Sequence, residues 1–202
     1  KYFFENKLKV NSSIFYSLRD EQQVETSFQI DPNDPASFIY FTDNAAEGEI
    51  FGLELDATWV VLEGFELYGS LGLLNAKFDR FFTSQVDVTG RKQAHAPSYN
   101  FAIGGSYQSN IGWFGSINIS GMDEFYFDVS HDQISDSYTL VNGRIGYHNE
   151  VWKAYIWIRN ALDTEYAVRG FYFGNEPPLF PSKLYTRQGD PRQIGITFDI
   201  DF

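Results

Sequence analysis

Carboxylates gather between Met122 and Asp136. The stretch MDEFYFDVSHDQISD carries Asp123, Glu124, Asp128, Asp132 and Asp136, with His131 among them. Oxygen-rich side chains suit a hard cation such as Ca²⁺. The spacing fits no EF-hand loop, so the same residues also read as a solvated connection. Asp128 and His131 are its candidates for ligand contact. A second stretch, GFYFGNEPPLFPSKLYTRQGD (residues 170–190), is aromatic and proline-rich. Tyr172, Phe173, Phe180 and Tyr185 can stack on a ligand or pack on neighbouring loops, and long connections are disproportionately functional. Arg187, with Lys183 and Arg192 nearby, attracts an anion or simply faces water. His95, His131 and His148 lie far apart and none has metal-ligand spacing, so no metal site is expected. There is no Gly-x-Ser-x-Gly, no phosphate loop and no nucleophile–base pair. The chemistry on offer is binding rather than catalysis, with no cofactor implied.

These loops need a scaffold, and alternation supplies it. Eight strands are expected, at about residues 7–25, 38–61, 65–79, 98–107, 112–121, 137–148, 152–161 and 193–202. Each sets apolar side chains on one face. The last reads Ile194, Ile196, Phe198, Ile200, Phe202, with Asp199 and Asp201 opposed. The connections alternate in length. Short ones fall near residues 62–64, 108–111 and 148–151. Long ones fall at about 26–37, 80–97, 122–136 and 168–190. No shift in composition marks a boundary, so residues 1–202 form one domain.

The apolar faces carry no charge in their core. The opposite faces carry Glu54, Asp56, Arg144, Arg159 and further ions. Lys or Arg on a lipid-facing position near the bilayer midplane costs roughly 2–4 kcal/mol, so lipid demands this sorting. A soluble barrel turned inside out would show it too. Aromatic placement favours lipid. Trp59, Tyr107, Trp113, Tyr147, Trp152 and Phe202 all fall on the apolar face at the short-turn end, as an interfacial girdle does. Aromatics make up 18% of the chain. No run reaches the roughly 18 apolar residues of a membrane helix, and the mean hydropathy of −0.31 averages over two opposed faces. Net charge is −12, which argues against nucleic acid, whose phosphates need clustered cations. There is no cysteine. The start, KYFFENKLKV, lacks the pattern of a secretory leader. The fold class expected is all-β: an antiparallel, up-and-down transmembrane β-barrel, with outer-membrane lipid and lipopolysaccharide as neighbours. Two other readings stay open on these grounds. One is a complete small eight-stranded outer-membrane barrel with a structural or adhesion role, since eight strands can close. The other is a soluble lipocalin-like ligand-binding barrel.

Several segments carry a closer likeness. EGEIFGLELDATW (residues 47–59), with Gly52 and Glu54, resembles a strand of TonB-dependent outer-membrane receptors. So do APSYNFAIGGSY (residues 96–107), IRNALDTEYAVRGF (residues 158–171) and GDPRQIGITFDIDF (residues 189–202). The third is similar to the family's Asn-Leu-(Phe/Thr)-Asp-x-x-Tyr segment, with a departure at Ala161 and Leu162. The resemblance implies a 22-stranded barrel of which this chain is the last third, starting within a turn-like KYFFENK. It implies an N-terminal plug, outside this chain, that engages the TonB system. It implies uptake of a scarce small molecule such as an iron-siderophore complex, in the outer membrane of a Gram-negative bacterium, with no enzyme activity. It assigns Phe198, Ile200 and Phe202 to the C-terminal aromatic signal read by the barrel-assembly machinery. Glu54, Asp56, Arg144 and Arg159 would face the lumen, pairing with the plug or across strands.

Overall fold

A computed structural model describes residues 2–4, 7–31, 34, 37–82, 87–129 and 131–200. Its strands are β1 (Tyr2–Phe4), β2 (Leu8–Gln29), β3 (Phe38–Leu62), β4 (Phe65–Arg80), β5 (Tyr99–Gln108), β6 (Trp113–Met122), β7 (Phe125–Tyr126), β8 (Ile134–Ser135), β9 (Tyr138–His148), β10 (Trp152–Arg159), β11 (Ala167–Gly174), β12 (Ser182–Gln188) and β13 (Gln193–Ile200). Nine of them form one antiparallel sheet in the order β1-β2-β3-β4-β5-β6-β9-β10-β13. The eight long strands are those that alternation predicts. The sheet is open: among the described residues β1 pairs only with β2, and β13 only with β10. Phe202 and Asp201 lie outside the described residues.

Register carries the alternation across every ladder. Ile14 faces Leu53, Leu55 faces Leu71, and Ile103 faces Ile119. Ile119 faces Val141, Ile145 faces Ile156, and Ile156 faces Ile196. Directly opposed residues share a face, so the apolar rows merge into one continuous surface. That surface is exposed: Ile117 and Ile156 each retain 53% of their accessible area. On β3 it runs from Trp59 to Phe51, about 27 Å along the strand at 3.4 Å per residue. This suits the apolar band of an outer-membrane barrel. Above it charge returns to the same face, where Glu49 meets Lys77.

The girdle appears as ring contacts. Trp113 meets Tyr147 edge-on at 5.5 Å, Tyr147 meets Trp152 at 5.4 Å, and Trp152 stacks on Phe198 at 5.9 Å. The short turns beneath are braced side to side. Gln108 N donates to the Gly64 carbonyl at 2.7 Å, and His148 N to the Gly112 carbonyl at 2.9 Å. Gly64 and Gly112 have φ of 75° and 95°, which side-chain-bearing residues adopt only with strain. Asn149 Oδ1 accepts from both Val151 N and Trp152 N at 2.9 Å, closing the third turn.

The opposite face is polar and concave. Cavities of about 620 and 390 Å³ open on it, lined by Ser116, Asn118, Arg144, Tyr155 and Thr197 among others. Its aromatic rings lie over glycines of the next strand: Phe15 over Gly52, Tyr68 over Gly104, Trp157 over Gly195. An added Cβ at any of these glycines would run into the ring. Cavities on the polar side are the reverse of an apolar-lined, lipocalin-like interior.

Four details differ from the sequence expectation. Tyr2–Phe4 is a strand paired with β2, not part of a turn. β2 and β3 pair out to Gln29 and Phe38, which shortens the first long connection. Glu21 has φ of 52° in a bulge between Arg19 and Gln22. The extra residue flips the faces, so Val24 joins the polar-side loops instead of the apolar row. Finally, β7–β8 and β11–β12 form hairpins inside the two last long connections.

The faces can be checked by charge. Ile117→Lys or Ile156→Lys should lose about 2–4 kcal/mol of membrane stability and abolish the heat-modifiable band on an unboiled gel. Asn118→Lys and Tyr155→Glu should keep it. Equal tolerance on both faces would reverse the assignment.

Candidate functional site

The buried core lies above the sheet, among the loops. Phe78, Phe81, Val88 and Val129 form a cluster with Val24 against it, and Phe81 is fully buried. Phe78 and Val24 come from the polar face of β4 and β2, so the loop residues Phe81, Val88 and Val129 fold over that face. Three connections fuse there. Arg91 is the clamp between the first two. Its guanidinium donates to the carbonyls of Asp128 at 3.1 Å, His131 at 3.2 Å and Val129, and to Asp132 Oδ1 at 2.6 Å. It also lies 4.8 Å from the Tyr126 ring. His95 N donates to the Tyr126 carbonyl at 2.9 Å, and Lys92 pairs with Asp123 at 3.7 Å. The β11–β12 hairpin then docks on the second loop. Phe127 packs on Gly170, His131 meets the Tyr172 ring at 5.7 Å, and buried Ser135 Oγ donates to the Ala167 carbonyl at 2.8 Å. A cavity of about 300 Å³ lies among these loops, lined by Gln22, His95, Phe127, Asp128, Arg169 and Phe171 among others.

The predicted ligand residues divide between the hairpin's two faces. Tyr172 joins His131 and Asp128 at the dock. Phe173 and Tyr185 pack on the other face at 5.2 Å, and the Tyr185 hydroxyl donates to Glu176 at 3.3 Å. Phe180 sits beyond the hairpin tip with φ of 46°, its backbone against Gly174. Of the three nearby cations, Lys183 pairs with Glu176 and Arg192 with Asp163. Arg187 makes no ion pair among the described residues and stands opposite Arg169 in the ladder. Lower down, Asp56 accepts from Asn11 Nδ2 at 2.6 Å, Glu54 lies opposite Gly72, Arg144 donates to Ser116 Oγ at 3.2 Å, and Arg159 lies over the Trp157 ring. Phe198 and Ile200 stand on the apolar face of β13. No group of three or more His, Asp or Glu side chains converges among the described residues.

Two residues outside the candidate set do the most positioning. Arg91 is one, and a lone arginine in an irregular loop has no periodic signal. Asn160 is the other, inside the segment quoted for its family likeness. It is buried, with φ of 46°. Its Nδ2 donates to the carbonyls of Thr164 at 2.9 Å and Asp190 at 3.1 Å, and its Oδ1 accepts from Thr164 N at 2.9 Å. It thereby ties the two feet of the last long connection. Asp163 adds a second tie, accepting from Arg192 N at 2.9 Å.

Burial at the dock lowers the His131 proton affinity, and Arg91 pushes the same way against Asp128 and Asp132. Gln133 N donates to Nδ1, which requires that nitrogen to be unprotonated. Between the lowered value and the ordinary 6.5 the unfolded loop therefore binds more protons than the docked one. Docking should be at full strength above that value and weaken as pH falls through the lowered one. Imidazole NMR should give a His131 midpoint below 6.5; a midpoint above it would contradict the burial. Asn160→Ala strands several backbone groups, at about 1–3 kcal/mol for each one left buried. It should open residues 161–190 to protease while the sheet stays protected, and unchanged cleavage would deny the tie.

The family model described as TonB dependent receptor-like, beta-barrel matches residues 1–161. Among solved structures, the ferric yersiniabactin uptake receptor FyuA from Yersinia pestis aligns over 98% of this chain and 28% of its own, at 18% identity and a TM-score of 0.76. The siderophore receptor PiuA from Acinetobacter baumannii aligns over 97% and 26%, at 16% identity and 0.70. The copper transporter OprC aligns over 97% and 29%, at 14% and 0.71. The chain thus spans between a quarter and three-tenths of these relatives. With a sheet that is apolar outside and polar within, capped by fused loops at one end, the chain belongs to the TonB-dependent receptor β-barrel family.

Proposed function

We propose that this chain is wall and outer loops of an outer-membrane receptor that imports a scarce small molecule, such as an iron-siderophore complex, with energy delivered by the TonB system. The observation that carries the reading is the sorting of the two faces: cavities open on the polar side, and the exposed apolar band on the other matches the height of a bilayer core. The siderophore receptors among the structural relatives favour iron over other cargoes. Family membership favours transport over catalysis. The short turns then face the periplasm and the fused loops face outward. Ligand contact falls to the loop cluster, with Tyr172, Phe173, Phe180, Tyr185, Arg187, Asp128 and His131 as its first candidates. Phe198 and Ile200, with Phe202 beyond the described residues, serve barrel assembly.

Deleting the gene in its host should abolish uptake of radiolabelled iron offered as one member of a siderophore panel, and a tonB deletion should do the same. Undiminished uptake of every panel member in the gene deletion would reject iron-siderophore import.

A further inference from the structure

Where Lys, Arg, Asp and Glu face one another across the ladders, their charges are opposite. Glu47 stands opposite Arg80, Glu49 opposite Lys77, and Lys153 opposite Asp199. Among the described residues two pairs break this rule. The bridge between Lys77 and Lys92 is answered by carboxylates, since Glu49 faces the one and Asp123 pairs with the other at 3.7 Å. Arg169 opposite Arg187 on the β11–β12 hairpin is not answered. Like charges directly opposed are destabilising, with Cβ atoms about 5 Å apart. Neither arginine makes an ion pair among the described residues, although acids stand close in sequence. Glu176 is held by Lys183 at the tip of the hairpin, and Asp163 by Arg192 at its foot. The opposition also depends on a bulge. Ala167 pairs with Gln188 but Arg169 with Arg187, so Val168 is an inserted residue. Without it Arg169 would face Thr186. Bulges occur next to active sites, where they re-aim a side chain. The same face carries rings. Phe171 keeps 53% of its accessible area, with the Arg169 guanidinium 5.6 Å from its ring and Tyr185 directly opposite. Arg169 and Phe171 also border the cavity of about 300 Å³, with Gln93, His95 and Asp128.

We propose that Arg169, Arg187 and Phe171 bind an aryl carboxylate group of a small ligand, with the carboxylate between the two guanidinium groups and the ring against Phe171. An anion there removes the repulsion that the register imposes. A planar guanidinium fork matches a carboxylate with two parallel hydrogen bonds. A flat ring joined to that carboxylate reaches Phe171 and packs on it offset or edge-on. A bare phosphate would neutralise the arginines but leave Phe171 uncovered. Asp128 repels the anionic end from the cavity, so the carboxylate belongs at the arginines and the rest of the ligand at the cavity mouth.

The inference rests on the loop cluster being the ligand-contact end of a receptor, and its test is kept apart from uptake. 2-Naphthoate is titrated calorimetrically into the intact receptor purified in detergent. It should bind saturably, and R169Q and R187Q should each weaken it about tenfold, the loss of a charge-assisted contact. F171L should weaken it as well. 2-Naphthylmethanol, which has the ring without the charge, and inorganic phosphate, which has the charge without the ring, should each bind about tenfold more weakly than 2-naphthoate. Absence of saturable binding would overturn the proposal, as would equal affinity in the R169Q/R187Q receptor. Phosphate binding as tightly as 2-naphthoate would make this a phosphate site and overturn the aryl carboxylate. R187E sets a carboxylate opposite Arg169. It should abolish 2-naphthoate binding while residues 161–190 resist protease at least as well as in the parent. Faster cleavage in R187E would mean that the arginines serve the hairpin instead, and would also count against the site. Radiolabelled-iron uptake by cells carrying the parent receptor reports the import reading separately. Binding without uptake defeats only that reading, and uptake without binding defeats only this one.

Discussion

A strand at membrane depth has no water to satisfy its backbone, so each N–H and C=O must pair with a neighbouring strand. The ladders from β2 to β13 meet this demand, and nearly everything else in the sheet follows from it. Side chains are left to alternate, and charge is confined to one side. Where β3 rises past Phe51 the constraint lifts. Glu49 and Lys77 then occupy the face that was strictly apolar, and β2 takes a bulge at Glu21. The molecule is thus inverted relative to a soluble domain. Its largest exposed side chains are those of the sheet, and its packed core is a loop cluster around Phe81 and Val129.

That inversion explains what the sequence made legible. Eight strands follow from period-two alternation because lipid tolerates few exceptions over the band. Beyond it, one inserted residue flips both faces, and nothing in a list of residue types marks where that happens. The β11–β12 hairpin escapes for a different reason. Phe171, Tyr172 and Phe173 are consecutive, so both faces carry aromatics and no alternation survives. One face docks on His131 and Phe127, and the other carries the Phe173–Tyr185 contact. Both faces are used, so neither can be polar throughout.

The candidate site was legible as composition and illegible as geometry. Acids, aromatics and cations in the loops drew attention, yet their roles depend on partners far away in sequence. Arg91 holds carbonyls from Asp128 to His131, forty residues downstream. Asn160 reaches Asp190. Such ties obey no period, because they join chain segments that only the finished sheet brings together. His131, weighed as a ligand contact or as part of a solvated loop, meets the Tyr172 ring at the dock. Lys183 and Arg192, weighed as attractors of anions or as plain solvated surface, pair with Glu176 and Asp163.

Division of labour between wall and loops accounts for the likeness to distant receptors. At 18% identity the sheet still superimposes on FyuA with a TM-score of 0.76. Lipid constrains the class of residue at each outer position, not its identity, so Ile, Leu, Val and Phe exchange freely there. The inner wall has a second rule, a ring on one strand over a glycine on the next, and that pairing drifts only if both partners change. Loop anchors such as Arg91 and Asn160 follow a third rule, since losing either leaves carbonyls unpaired. The positions released from all three rules are few. On the hairpin they include Phe173, Tyr185, Arg169 and Arg187, which make no contact that the sheet requires. Substitution there would alter what the loop cluster presents without disturbing the wall that carries it.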